Sequence, residues 1–192
     1  MIVINFGNKK YLNSAEKFLY NISNRNKTYI NKLVIAPNIL DLKDFNKKFN
    51  FTFALNNMHY KPSLEFLKIL KDLNIKYLII NDINLELGFN SKFDLISACK
   101  EFNIQTILYT YDSEDFMRIK SLDSDYIAIK LKDLQDIDKF GIYPQDKVLI
   151  DYHVQRFSDL SRLESKGVVG FVIRPYIKNF NLIERFYAEK FH

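Results

Sequence analysis

Eight short apolar runs recur about every 24 residues along this chain of 192 residues, and amphipathic stretches separate them. The runs are rich in β-branched and aromatic residues: Ile2 to Phe6, Leu33 to Ala36, Phe51 to Leu55, Tyr77 to Ile80, Thr106 to Tyr109, Tyr126 to Ile129, Val148 to Ile150 and Val168 to Ile173. Because strands that alternate with helices form parallel βαβ units, this pattern predicts eight consecutive βα units. We therefore expect one domain over residues 1–192, closed into a (β/α)8 barrel.

An open, doubly wound parallel sheet is the alternative fold for the same order of elements. It is less favoured because no glycine-rich turn follows the first strand, and the whole chain has only 5 glycines. At 192 residues the chain is unusually short for a barrel, since eight-unit barrels normally begin near ~200 residues. We therefore expect short loops and one stunted helix, in the mostly polar segment from Lys130 to Asp146.

The stretches between the runs have helical periodicity. We predict helices over Ser14 to Asn24, Leu40 to Phe49, Phe93 to Phe102 and Asn179 to Phe191, and one that starts at Pro62-Ser63. Asn13 or Ser14 is the expected cap of the first helix. The side chains expected to face the core are Leu64, Leu67, Ile69, Leu70 and Leu73 in the third helix, and Phe93, Ile96, Ala98 and Phe102 in the fourth.

Composition narrows the possible partners and location. The net charge is +5, but lysine pairs such as Lys9-Lys10 and Lys47-Lys48 are scattered, so nucleic-acid binding is not expected. The chain passes straight into a strand without a signal sequence, and no apolar stretch reaches the ~18 residues of a membrane span. We expect a cytoplasmic protein without membrane contact, in which the single Cys99 is a buried apolar residue rather than a reactive thiol.

Polar side chains follow most of the predicted strands, at the end where barrels carry their chemistry. They are Asn5, Asn56, Asp82, Asp112, Lys130, Asp151 and Arg174. One hypothesis is a new catalytic site with Lys130 as a Schiff-base nucleophile among acids. The other is that these alternating charges pair and stay solvated. His59, Asp151 and His153 are too dispersed to predict a metal, so we expect neither metal nor cofactor.

Several segments resemble the archaeal type of triosephosphate isomerase. They are INFGN, LVIAPNILDL, FTFALNN, IINDINLEL, SDYIAIKLKDL and DKVLIDYHV, followed by FSDLSRLESKGVVGFVI, and together they span nearly the whole chain. The resemblance implies a TIM barrel with catalytic residues after the first, fourth and sixth strands. It also implies assembly into dimers or tetramers, so we expect a homo-oligomer.

The catalytic positions of that family carry other residues here. In the family's NFK motif, Asn5 matches but Gly7 replaces the substrate-binding lysine; in LNHSE, Asp82 replaces the electrophilic histidine. In YVAVEPPEL, Lys130 replaces the general-base glutamate. A lysine ammonium cannot collect a proton from substrate, and an ionised aspartate accepts hydrogen bonds instead of donating them. The family's reaction cannot run on these residues.

The family's phosphate site is altered as well. Small residues after its seventh and eighth strands bind phosphate through backbone N–H groups, whereas Asp151 to His153 and Arg174 to Tyr176 stand here. Asp151 repels a dianion and Pro175 has no N–H; only Arg174 favours an anion. The segment after the sixth strand also lacks the family's hinge and lid pattern.

We therefore expect a catalytically inactive relative of triosephosphate isomerase that binds a small metabolite or another protein. The alternative is an isomerase or lyase of altered chemistry, acting on a phosphorylated or acidic small molecule through Lys130, Asp82 and Arg174.

Overall fold

The computed structural model describes residues 1–7, 12–25, 32–56, 62–81 and 88–190. Eight parallel strands form a closed barrel in chain order, and the last strand pairs with the first. The strands are β1 (Ile2–Asn5), β2 (Leu33–Ala36), β3 (Thr52–Asn56), β4 (Tyr77–Asn81), β5 (Gln105–Thr110), β6 (Tyr126–Lys130), β7 (Val148–Asp151) and β8 (Gly170–Ile173). The predicted (β/α)8 TIM barrel is confirmed. The doubly wound alternative is wrong, because the pairing of β1 with β8 leaves no open edge.

Helices surround the barrel. They are α1 (Leu12–Ser23), α2 (Ile39–Lys48), α3 (Leu64–Asp72), α4 (Phe89–Glu101), α5 (Ser113–Ile119), α6 (Phe157–Ser165) and α7 (Ile177–Lys190). The predicted cap of the first helix is wrong, because α1 begins at Leu12 and Asn13 and Ser14 lie inside it. Asn38 and Ser63 cap α2 and α3 with their side-chain oxygens.

The stunted helix lies where the polar segment predicted it. Between β6 and β7 the chain has two 3-10 helices, Leu134–Lys139 and Pro144–Asp146. The first buries Ile137 and is held by a capping box between Asp133 and Asp136. One buried side chain does not make the apolar stripe that stabilises a full α-helix, so this connection stays short.

The buried face of α4 differs from the predicted one. Phe93 is 55% exposed, whereas the side chain of Lys92 is almost fully buried, with Nζ 3.7 Å from Oδ1 of Asp115 in α5. Lys92, Leu95, Ile96 and Cys99 are buried at helical spacing. Of the predicted core positions, Ile96 is confirmed, and Ala98 and Phe102 pack partly buried against the core, so only Phe93 is wrong. An aspartate on the neighbouring helix satisfies the buried lysine, and the sequence of α4 does not show that partner.

Two predicted core positions of α3 are also wrong. Leu64 is 56% exposed and Ile69 is 52% exposed, while Leu67 and Leu70 are buried. Leu64 opens the first turn of the helix, and Ile69 lies two residues, or about 200°, from Leu67 around the helix axis. Leu73, also predicted to face the core, packs partly buried against it, as does Phe66.

The barrel interior has its own apolar cluster, separate from the layer between strands and helices. Its buried members are Val3, Val34, Ala36, Ala54, Ile79, Ile107, Tyr109, Ala128, Leu149 and Val172. Tyr77 and Tyr126 pack against this cluster from the amino ends of their strands, and Tyr111 packs against it beyond the carboxyl end of β5. Tyrosines therefore line both ends of the interior.

Two smaller expectations concern Cys99 and the membrane. Cys99 is buried, as expected, and burial raises the pKa of its thiol to about 12. Within the described residues, no helix combines the length and the apolar character needed to cross a membrane.

Candidate functional site

The strand-end residues predicted from the sequence lie at one end of the barrel. Asn5, Asn56, Lys130 and Asp151 are the last residues of β1, β3, β6 and β7, and Arg174 directly follows β8. Because all eight strands are parallel, these residues lie at the same end of the barrel, which we call the barrel mouth. Asp82 and His59 lie outside the described residues.

Asn5 connects two strand ends at the mouth. Its buried Oδ1 accepts hydrogen bonds from Nδ2 of Asn56, 2.7 Å away, and from the backbone N–H of Gly7, 2.8 Å away. Gly7 has a φ of +64°, which L side chains rarely adopt, and a Cβ at this position would lie 3.3 Å from Nη1 of Arg174. The turn after β1 therefore favours glycine at the position where the resemblance described above predicts a lysine.

Tyr109 occupies the centre of this end of the barrel. Its ring is buried in the interior cluster, and its hydroxyl donates a hydrogen bond to Oδ2 of Asp151, 3.2 Å away. Burial, and secondly the Asp151 carboxylate, raise the pKa of Tyr109 well above its ordinary value; the side chain of Asn5 contacts the hydroxyl and opposes this shift. Tyr109 therefore stays protonated and serves as a hydrogen-bond donor.

Asp151 combines burial with two neighbouring cations. Burial raises the pKa of its carboxyl, while Arg174, Lys130 and the hydrogen bond from Tyr109 act in the opposite direction. Lys130 is the register partner of Asp151 across the β6–β7 pair. The cations weaken the penalty of burying the carboxylate, but they do not reverse it.

Lys130 and Arg174 are the exposed part of the mouth. Nζ of Lys130 lies 5.6 Å from the ring centroid of Tyr111, and the Tyr111 hydroxyl donates to Oδ1 of Asn81 over 2.9 Å. In the part of the chain that the structure describes, neither Lys130 nor Arg174 forms an ion pair within 4.0 Å. Two cationic side chains on either side of a buried carboxyl can therefore hold a small anion from solvent.

Sequence reasoning missed Tyr109 and Tyr111 as parts of the site. Tyr109 was assigned to the core as the end of an apolar run, although Ile107, Tyr109 and Tyr111 are spaced two residues apart and so share one face of a strand. That alternation is the signal that places both phenols toward the barrel axis. Asp112 has a structural role, because its side chain accepts from the N–H of Asp115 and caps α5.

No metal centre emerges from the described residues, which contain no cluster of three or more His, Cys, Asp or Glu side chains able to hold a cation. His153 is exposed, two residues beyond Asp151.

Comparison with known proteins bears on the architecture. No family model matches the chain, and no curated protein matches it. Among solved structures, a mutant tryptophan synthase α-subunit from the hyperthermophile Pyrococcus furiosus is similar, with a TM-score of 0.63 and 12% identity over 91% of this chain and 86% of that chain. The architecture is a (β/α)8 barrel.

A second similar structure, of the tryptophan synthase α2β2 complex from the same organism, has a TM-score of 0.62 and 12% identity over 91% of this chain and 85% of that chain. At this identity the likeness concerns the fold and not the activity. Neither structure is a triosephosphate isomerase, so the resemblance described above stays a prediction.

Proposed function

We propose that this protein is a barrel of triosephosphate isomerase ancestry that lacks the isomerase reaction and binds a small organic carboxylate at the barrel mouth. The observation that carries the proposal is geometric: Lys130 is the register partner of the half-buried Asp151, Arg174 follows the strand on the other side of Asp151, and both cationic side chains are exposed.

The loss of isomerase activity is argued from the end of β6. Lys130 stands at this strand end, where the resemblance requires a carboxylate base. The neighbouring carboxyl of Asp151 accepts a hydrogen bond from Tyr109 and lies beside two cations. Proton abstraction needs a carboxylate free to meet the substrate, and these contacts oppose that role. Gly7, next to Arg174, contributes no side chain to the mouth.

The class of ligand follows from charge and donor geometry. The guanidinium fork of Arg174 and the ammonium of Lys130 match the two oxygens of a carboxylate. A phosphate dianion carries twice the charge toward Asp151, and Pro175 offers it no backbone donor. A monocarboxylate therefore suits the mouth better than a phosphate ester.

The test is isothermal titration calorimetry with pyruvate, lactate and glycerol 3-phosphate. We expect the carboxylates to bind more tightly than the phosphate ester, and Lys130→Met and Arg174→Gln each to weaken that binding at least five-fold. Lys132→Met is the matched control, because it removes the same charge from an exposed position two residues away. Absence of carboxylate binding, or equal losses in the control, would overturn the proposal.

An isomerase assay addresses the activity separately. We expect no turnover of glyceraldehyde 3-phosphate above the buffer rate, because the family's lysine and glutamate positions carry Gly7 and Lys130. Turnover that disappears in the Lys130→Met variant would instead establish an active enzyme.

A second candidate function is an isomerase or lyase of altered chemistry. The pairing of Lys130 with Asp151 across two strands favours it, since an amine beside a carboxyl can form a Schiff base with a carbonyl substrate. Borohydride reduction in the presence of pyruvate or glyceraldehyde 3-phosphate tests this. A mass increase on Lys130 supports the enzyme, and an unmodified protein excludes it for these carbonyls.

Self-association and a cytoplasmic location stay predictions. Analytical ultracentrifugation measures the first: a single species near the chain mass of 22.8 kDa would contradict the expected homo-oligomer.

A further inference from the structure

Two adjoining cavities open at the amino ends of the strands, opposite the barrel mouth. They measure about 480 and 550 Å³, and Thr52 and Tyr77 line both. Tyr77 and Asn81 are the two ends of β4, which separates this region from the mouth by about 13 Å at 3.3 Å per residue. We call the 480 Å³ cavity the floor cavity.

Five of the residues that line the floor cavity are aromatic. Tyr77 of β4 and Tyr126 of β6 lie on one side, with ring centroids 6.3 Å apart and planes inclined by 54°. Tyr187 and Phe186 of α7 and Phe171 of β8 also line it. Such rings offer flat surfaces for stacking, and the volume lies in the range of small-molecule sites.

The hydroxyls of Tyr77 and Tyr126 are the unusual feature of this wall. Both side chains are half-buried, yet neither hydroxyl forms a hydrogen bond within the described part of the chain. Tyr109, in the same barrel interior, donates to Asp151. Burial raises the pKa of Tyr77 to about 12, so this phenol remains a donor at physiological pH. Half-buried donors without protein acceptors suit a ligand that brings acceptors of its own.

Most of the charges around the two cavities have an opposite charge nearby. Lys32 and Glu164 line the floor cavity together with the N-terminal amine of Met1, whose pKa is lowered by burial. Lys76, Lys100 and Asp125 line the neighbouring cavity, and Lys100 forms an ion pair with Asp123. The Lys32 ammonium lies 5.9 Å from the ring centroid of Tyr187, and the Asp125 carboxylate accepts from the N–H of Thr106 over 2.8 Å. An anionic ligand would be repelled by Glu164 or Asp125, and a cationic ligand by Lys32 or Lys76. The surroundings therefore favour a neutral molecule.

We propose that the floor cavity binds a neutral, planar aromatic molecule whose acceptor atoms receive hydrogen bonds from Tyr77 and Tyr126. The ring of Tyr187, which lines the same cavity, is placed to stack on a face of the ligand. This site is independent of the mouth, because it uses the opposite ends of the strands and none of the residues proposed to bind a carboxylate.

Coumarin is a suitable probe, since it is planar, uncharged and carries a lactone carbonyl. Its binding can be followed by NMR of the full chain labelled with ¹³C at the tyrosine rings, with Tyr77 and Tyr126 assigned from the variants Tyr77→Phe and Tyr126→Phe. Because the chain has no tryptophan, quenching of tyrosine emission by coumarin provides an independent affinity. Tyr176→Phe is the matched control, at an exposed position just beyond β8 and therefore at the other end of the barrel.

We expect coumarin to shift the ring signals of Tyr77 and Tyr126 and to leave that of Tyr176 in place. The double variant Y77F/Y126F should weaken binding at least five-fold, while Tyr176→Phe should change it less than two-fold. Unmoved tyrosine signals up to saturation with coumarin, or equal affinity in the double variant, would overturn the proposal. Should the double variant fail to fold by circular dichroism, the two single variants and the shifts of the unmodified protein decide the question.

Discussion

The hydroxyl of Tyr109 donates a hydrogen bond to Oδ2 of Asp151 over 3.2 Å, and this bond joins β5 to β7 past the intervening strand β6. The two strands are not neighbours in the sheet, so the bond crosses the barrel interior instead of following the ladder. It anchors the Asp151 carboxyl, on which the charges of Arg174 and Lys130 also act.

Tyr109→Phe tests the contribution of this bond. The change keeps the ring and removes the donor, which leaves the buried Asp151 carboxyl without its phenolic partner. We expect a loss of about 1–3 kcal/mol in the free energy of unfolding, measured by urea denaturation. The exposed Tyr176→Phe should stay within about 0.5 kcal/mol of the unmodified protein. Equal stability of the two variants would show that the bond contributes nothing measurable.

Asp151→Asn tests how the burial of this carboxyl makes the free energy of unfolding depend on pH. The pKa of Asp151 is raised in the folded state from an ordinary value of 3.8, so the folded protein binds the proton more tightly than the unfolded chain does. The stability that protonated Asp151 contributes is complete below pH 3.8 and is lost as the pH rises through the folded-state pKa. Relative to D151N, the unmodified protein should therefore lose stability as the pH rises.

Urea denaturation of both proteins at pH 4, 5, 6 and 7 measures this difference. Other titrating groups cancel in the comparison, because the two chains differ at one position. If the unmodified protein instead gains stability relative to D151N as the pH rises, Arg174 and Lys130 lower the pKa of Asp151 by more than burial raises it.

Gly7→Ala and Gly141→Ala form a matched pair for the turn after β1. Both glycines have positive φ, +64° and +55°, but only a Cβ at Gly7 would meet another group, Nη1 of Arg174. We expect each variant to lose about 1–2 kcal/mol of unfolding free energy from backbone strain. Only Gly7→Ala should also alter carboxylate affinity, because it displaces the Arg174 side chain. Unchanged affinity there would place Arg174 outside the binding site.

Gly170→Ala tests how the barrel closes. A Cβ at Gly170 would lie 2.1 Å from the backbone oxygen of Met1, and backbone atoms cannot move aside as a side chain can. The variant should lose about 3 kcal/mol, more than Gly7→Ala, because relief requires β1 and β8 to separate. Thermal denaturation that shows only a small shift would indicate a different path for the first residue.

Much of the fold could be predicted because its signals are local. Each apolar run lies within a few residues of one observed strand, and the short segment after Lys130 does lack a full helix. The buried faces of helices were harder to predict. Phe93 suits a core position by its chemistry, but the buried place in α4 belongs to Lys92, which depends on Asp115 in the next helix.

In the candidate site, too, the features set by local sequence could be predicted and the contacts between distant segments could not. Parallel strands place one group of residues at the same end of the barrel: Asn5, Lys130, Asp151 and Arg174. The contacts at this end could not be predicted in the same way, because the bond between Tyr109 and Asp151 joins residues 42 positions apart in the chain. The role of Tyr109 depends on which strand lies beyond its neighbour β6 in the closed barrel, and no local pattern records that.

The sequence by itself determined the order of strands and helices and the chemical types at the strand ends, since hydrophobic periodicity and strand polarity act over a few neighbouring residues. Tertiary structure alone decided that Tyr109 joins Asp151, and that two tyrosine hydroxyls line the floor cavity without a protein acceptor in the described part of the chain. These features arise when distant segments compete for the same space and the same hydrogen-bond partners, and that competition is resolved only in the folded barrel.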